Sequence, residues 1–204
     1  MTMNNEKPWD ARLAYHLIYP LRNSWITPNH LSCLRLIFGI LAALALAAGD
    51  YFWSNVGAIC FVISNFLDHT DGEFARLTGK FSKQGHYFDL AGDAVVNIIL
   101  FVGIGAGLMN TKLGIWALPM GIIAGVSVAA IFHMRNEIEK SVGKVQARQP
   151  HFGGFEAEDV LYLLPIVTVM EWLIPFLTLA SIGAPAFSIL VWREYHILNK
   201  NTMP

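Results

Sequence analysis

Asp68-His69-Thr70-Asp71-Gly72-Glu73-Phe74-Ala75-Arg76, followed by Gly85-His86-Tyr87-Phe88-Asp89-Leu90-Ala91-Gly92-Asp93, sets four aspartates around a glycine-arginine core. One long apolar run leads into this stretch and a second leaves from it. Ionised residues at the end of a membrane helix are costly to keep, so by default they mark a functional site. Four carboxylates brought together repel one another unless a cation lies between them. Carboxylate oxygens are hard ligands suited to Mg²⁺, Mn²⁺ or Ca²⁺. The stretch therefore reads as a metal site where two membrane helices meet water.

Working outward, the composition agrees with a membrane setting. The 204 residues are 54% hydrophobic and only 14% charged, against about a quarter charged in an ordinary soluble domain. The deficit comes from several long apolar stretches, which argues for a polytopic all-α membrane protein. The net charge of −1 says nothing about partners. Cys33 and Cys60 fall inside the apolar runs and read as small buried residues, with no disulfide expected.

Six membrane helices are expected, at about His30–Ala48, Phe52–Arg76, Lys83–Leu108, Leu113–Arg135, Glu158–Leu173 and Phe176–Tyr195. Thr27-Pro28-Asn29 suits the start of the first, and Pro175 closes the fifth. With six spans, thirteen of the fourteen Lys and Arg residues share one side; only Lys112 falls on the other. Arg35 is counted among these orientation charges. Excess Lys and Arg mark the cytoplasmic face, so both termini and the aspartates should lie there. Before the first span, Trp9, Leu13, Leu17 and Leu21 recur every four residues. That stripe fits either an amphipathic helix on the membrane surface or a helix packed on the bundle. The expected organisation is one membrane domain over 1–204, with the interfacial helix at about 9–21 and the bundle over about 30–195. Gly103, Gly105, Gly107, Gly121 and Gly125 are expected to let helices approach closely, more within the chain than between chains.

Asp68 and Asp71 are three apart and share a helix face. Gly85, Asp89 and Asp93 repeat every four residues and form a second stripe. If the loop between them folds the two helices antiparallel, the carboxylates converge and can hold one or two divalent cations. Gly72 and Gly85 would let a phosphate approach the backbone, and the Arg76 fork suits phosphate oxygens. Metal, arginine and backbone access describe a diphosphate pocket. The competing reading is a divalent-cation transporter, since carboxylates also line ion pathways. Against it, the acids cluster at one edge, and no second acidic site lies deeper in the spans.

The pattern Asp68-x2-Asp71-Gly72-x2-Ala75-Arg76-x8-Gly85-x3-Asp89-x3-Asp93 resembles the signature of the CDP-alcohol phosphatidyltransferases, with all its defining positions filled. The resemblance implies an integral membrane homodimer, in the cytoplasmic membrane if bacterial, that uses Mg²⁺ or Mn²⁺, two ions together. It implies cleavage of a CDP-linked lipid or alcohol donor at the diphosphate, release of CMP, and transfer of the phosphoalcohol to an acceptor hydroxyl. Its partners are then these substrates and membrane lipids, with no nucleic acid. Carried onto this chain, Asp68, Asp71 and Asp89 would be metal ligands. Asp93 would touch the second metal and act as general base. Asp68, Gly72, Ala75, Arg76 and Gly85 would surround the cytidine and diphosphate.

The acceptor is less legible. A phosphorylated polyol would need basic residues, and Arg135, Lys140, Arg148 and Arg193 are the candidates; they serve equally well as orientation charges. Glu156, Glu158 and Asp159 could bind a polyol or cationic headgroup, or complement a helix dipole. His69 and His86 sit at variable positions of the motif.

Overall fold

In a computed structural model of the full chain, residues 9–80, 83–142 and 157–202 are described, with side chains for 14–80, 89–138 and 160–198. The described residues form an all-helical bundle: α1 (Trp9–Ile18), α2 (Pro28–Ala47), α3 (Tyr51–Thr78), α4 (Lys83–Gly107), α5 (Ala117–Val142), α6 (Leu164–Val169) and α7 (Leu173–Thr202). α2 starts where its sequence says it should. Pro28 needs no N–H in the first turn, and the His30 Nδ1 accepts the Thr27 backbone N–H at 3.2 Å. Asp50 caps α3 by accepting from the Trp53 N–H at 2.9 Å. Gly79 ends α3 at φ 67°, a left-handed conformation that glycine adopts without strain.

α2 packs on both α3 and α4, α4 on α5, and α5 on α7. Phe61, Leu46, Leu100, Phe101 and Ile104 fill the core. Backbone contact between helices is set by the expected glycines. A methyl at Gly103 or Gly107 would run into the carbonyls of Ala43 and Leu46 on α2. On the other face of α4, a methyl at Gly105 would lie 2.6 Å from the Ala117 carbonyl oxygen, and one at Gly121 would strike the Phe101 carbonyl. All these contacts lie within one chain, so α4 is clamped between α2 and α5.

Among the described residues, four stretches are long and apolar enough to cross a bilayer: Pro28–Ala47, Asp89–Gly107, Gly114–Ile138 and Leu173–Leu198. α3 has the length, 28 residues, but its last turns carry Asp68, Asp71, Glu73 and Arg76. The expected fifth span differs more. A 3₁₀ segment, Ala157–Leu163, runs into the short α6, and only Val160–Val169 reads as an apolar helix. That is well under the ~20 residues a crossing helix needs. Pro175, expected to close this span, instead sits in the first turn of α7.

α1 packs on α3 through Ala14 and Ile18, both buried, while Leu17 is 56% exposed. The bundle therefore takes one face of this helix, and part of the expected apolar stripe faces outward. Trp9 and Leu13 lie outside the described side chains, as does most of the long polar connection expected over 136–157.

Candidate active site

The ends of α3 and α4 bring the aspartates together. One carboxylate oxygen from each of Asp68, Asp71 and Asp89 lies within 4.8 Å of the other two. An octahedral Mg²⁺ or Mn²⁺ with bonds of about 2.1 Å sets its oxygens roughly 3 Å apart when adjacent and about 4.2 Å when opposite. The separations lie near that range, so the donor set fits a hard divalent cation. Asp93, one helical turn beyond Asp89, stands beside this group rather than in it.

A third helix completes the site, and sequence reasoning missed it. Arg35 of α2 is only 3% exposed. Its Nη1 lies 2.5 Å from Asp68 Oδ1 and 3.1 Å from Asp89 Oδ1, and its Nη2 pairs with Asp93 Oδ1. Arg35 is thus no surface orientation charge, as the count of basic residues had it. The available signal was its place well inside the first apolar run, where a charge persists only with partners. Ser32, one turn earlier on the same face, donates to Asp71 Oδ2 at 2.5 Å. The Ser64 hydroxyl donates to the Arg35 carbonyl at 2.9 Å, tying α2 to α3 directly beneath the cluster. Four aspartates against one arginine leave three formal negative charges, which suits binding of divalent cations.

The remaining expected residues divide into groups. A Cβ built on Gly72 meets nothing within 4 Å, so packing does not demand glycine there. Ala75 is half-buried one turn along. Arg76 is 57% exposed at its side chain and pairs with the buried Glu73 of its own helix. Arg135 forms an ion pair with Glu194 at 3.1 Å, linking α5 to α7. Arg193 is exposed on α7 in a shallow depression with Trp192, His196 and Ile197. Gly85, His86, Lys140, Glu158 and Asp159 lie outside the described side chains, and Arg148 and Glu156 outside the described residues altogether. A second contact not foreseen joins His69 to Tyr162, whose hydroxyl lies 3.5 Å from Nδ1. It brings the segment before α6 against α3.

The family model described as CDP-alcohol phosphatidyltransferase matches residues 25–197. An archaetidylinositol phosphate synthase of Pyrococcus horikoshii is 37% identical over 84 residues, which is 40% of this chain and 42% of that protein. A ceramide phosphoethanolamine synthase of Drosophila melanogaster is 30% identical over 108 residues, 48% of this chain and 28% of that one. The chain thus matches less than half the length of these relatives. The solved Mycobacterium tuberculosis phosphatidylinositol phosphate synthase, with CDP-DAG bound, superposes with a TM-score of 0.63 at 19% identity, over 93% of this chain and 92% of that one. That likeness carries the fold from end to end. A family match over nearly the whole chain, on a helical scaffold that gathers the motif aspartates at one point, shows that this integral membrane protein belongs to the CDP-alcohol phosphatidyltransferase family.

Proposed function

We propose that the chain is a phosphotransferase of phospholipid synthesis. It moves a phosphatidyl group from a CDP-linked lipid to the hydroxyl of a polyol or polyol phosphate and releases CMP. The observation that carries this reading is the convergence of Asp68, Asp71 and Asp89 within 4.8 Å, with Asp93 adjoining. The relative named archaetidylinositol phosphate synthase and the CDP-DAG in the mycobacterial structure support a lipid donor and a phosphorylated polyol among the acceptors. The transporter reading has no support from the family.

In this reading Asp68, Asp71, Asp89 and Asp93 hold two ions of Mg²⁺ or Mn²⁺. When bound, these supply charge neutralisation of the diphosphate and of the departing CMP. Asp93 orients the acceptor hydroxyl and takes its proton as the oxygen attacks the phosphorus; the phosphorus–CMP oxygen bond breaks. The open face at Gly72, with Ala75 and Gly85, accommodates the cytidine and diphosphate. Arg76 turns its fork from Glu73 to the phosphate oxygens. An acceptor phosphate draws on Arg135, Lys140, Arg148 and Arg193, competing with Glu194 for Arg135. The site and both termini face the cytoplasm, the whole chain forms one membrane domain, and two copies form the working enzyme.

The test is CMP release by the purified protein from CDP-diacylglycerol. It is run over inositol phosphate, glycerol phosphate, inositol and serine, with and without Mg²⁺ or Mn²⁺. A parallel arm offers CDP-ethanolamine with diacylglycerol or ceramide. Metal-dependent CMP release with one acceptor of the first panel is expected. Release in the parallel arm alone would reverse donor and acceptor, and metal uptake into liposomes without nucleotide would restore the transporter.

A further inference from the structure

Arg35 lies against two of the three carboxylates that could hold a divalent cation. Its Nη1 touches Asp68 and Asp89, two of the three carboxylates that converge on an ion-sized space, whereas Nη2 touches only Asp93. Asp71, the third member of the set, is held by Ser32 instead. The guanidinium is buried on a helix whose backbone is anchored to α3 by Ser64. An ion bound to Asp68 and Asp89 would therefore meet Nη1 at close range, as a like charge in a poorly screened setting. Without such an ion, the same Nη1 keeps the carboxylates from repelling one another.

We infer that Arg35 is a resident counter-ion: it holds the aspartates together in the metal-free protein, and a divalent cation binds by displacing its Nη1 from Asp68 and Asp89. Nη2 keeps Asp93 beside the site during that exchange, so the displacement is a partial swing. Arg35 is then a positioning residue that weakens metal affinity while making the empty site stable. A residue that merely scaffolds the ligands would do the opposite, and its loss would weaken metal binding. The inference rests on the metal-site reading above.

The deciding experiment is a Mn²⁺ titration of the full-length protein in lipid nanodiscs, read by the EPR signal of free Mn²⁺, for wild type and Arg35→Met. Arg35→Met should bind Mn²⁺ about tenfold or more tightly than wild type. It should also melt at lower temperature without metal and gain more from saturating Mn²⁺ than wild type gains. Equal or weaker Mn²⁺ binding by Arg35→Met overturns the inference. Should that variant not survive purification, Arg35→Lys decides, because an ammonium cannot span three carboxylates: tighter binding than wild type supports displacement, and equal or weaker binding overturns it. Asp71→Asn, made in both backgrounds, separates the two layers. If neither parent binds Mn²⁺, or if binding survives Asp71→Asn, the metal-site reading fails and takes this inference with it.

Discussion

Asp93 and Arg76 are the residues whose substitution separates chemistry from binding. Asp93 lies outside the three-carboxylate group and shares Arg35 with two of its members. Asp93→Asn keeps size and shape and removes the proton acceptor, so turnover should fall by about 10²–10⁴-fold. CDP-donor affinity, measured by calorimetry or by protection from thermal unfolding, should change little; an equal loss of both would make Asp93 a structural ligand. Arg76 is exposed and, among the described residues, pairs with Glu73 of its own helix, so turning its fork outward gives up a contact within α3. Arg76→Lys should weaken nucleotide binding by roughly tenfold, the loss of one charge-assisted hydrogen bond, with the melting temperature unchanged. Unaltered affinity would remove Arg76 from the pocket.

At the scale of the helix, glycines of one motif-rich region do two different jobs, and alanine tells them apart. Gly107 and Gly121 carry backbone-to-backbone contacts of α4 with α2 and α5, so a methyl there must push helices apart. Gly107→Ala or Gly121→Ala should destabilise the protein by about 1–3 kcal/mol, seen as a lower melting temperature in detergent. Gly72→Ala meets open space and should fold as well as wild type, even slightly better for the gain in helix propensity. If the donor lies against that face, Gly72→Ala should nonetheless lose donor affinity. A fully active Gly72→Ala enzyme would show that the nucleotide sits elsewhere. The same distinction accounts for what was readable at this scale. Period-four spacing of aspartates and glycines marks helix faces, since side chains three and four apart stack on one side. The fifth span is the element least readable at this scale: among the described residues a 3₁₀ segment leads into the short α6, with Val160, Leu163, Ile166 and Val169 exposed. Val160–Val169 is apolar, yet it packs as a half-length element against α3.

For the whole molecule, the proposed orientation, with the site and both termini at the cytoplasmic face, rests on the charge asymmetry. In a background with Cys33 and Cys60 replaced by alanine, Lys112→Cys should react with a membrane-impermeant maleimide added outside intact cells, and Lys80→Cys only after lysis. The reverse pattern would invert the topology. The all-helical class, the membrane setting and the identity of the acidic residues were determined by the sequence itself, because burial of apolar runs and the cost of intramembrane charge are local properties of the chain. The helix ends near Thr27, Asp50 and Gly79 belong with them, being fixed by capping chemistry within a few residues. Only the tertiary structure decided that three helices build the site. Arg35 and Ser32 lie more than thirty residues before the carboxylates they contact, and no spacing rule links positions so far apart. Their meeting depends on how closely α2 approaches both α3 and α4, which Gly57, Gly103 and Gly107 permit and the packing of the bundle enforces.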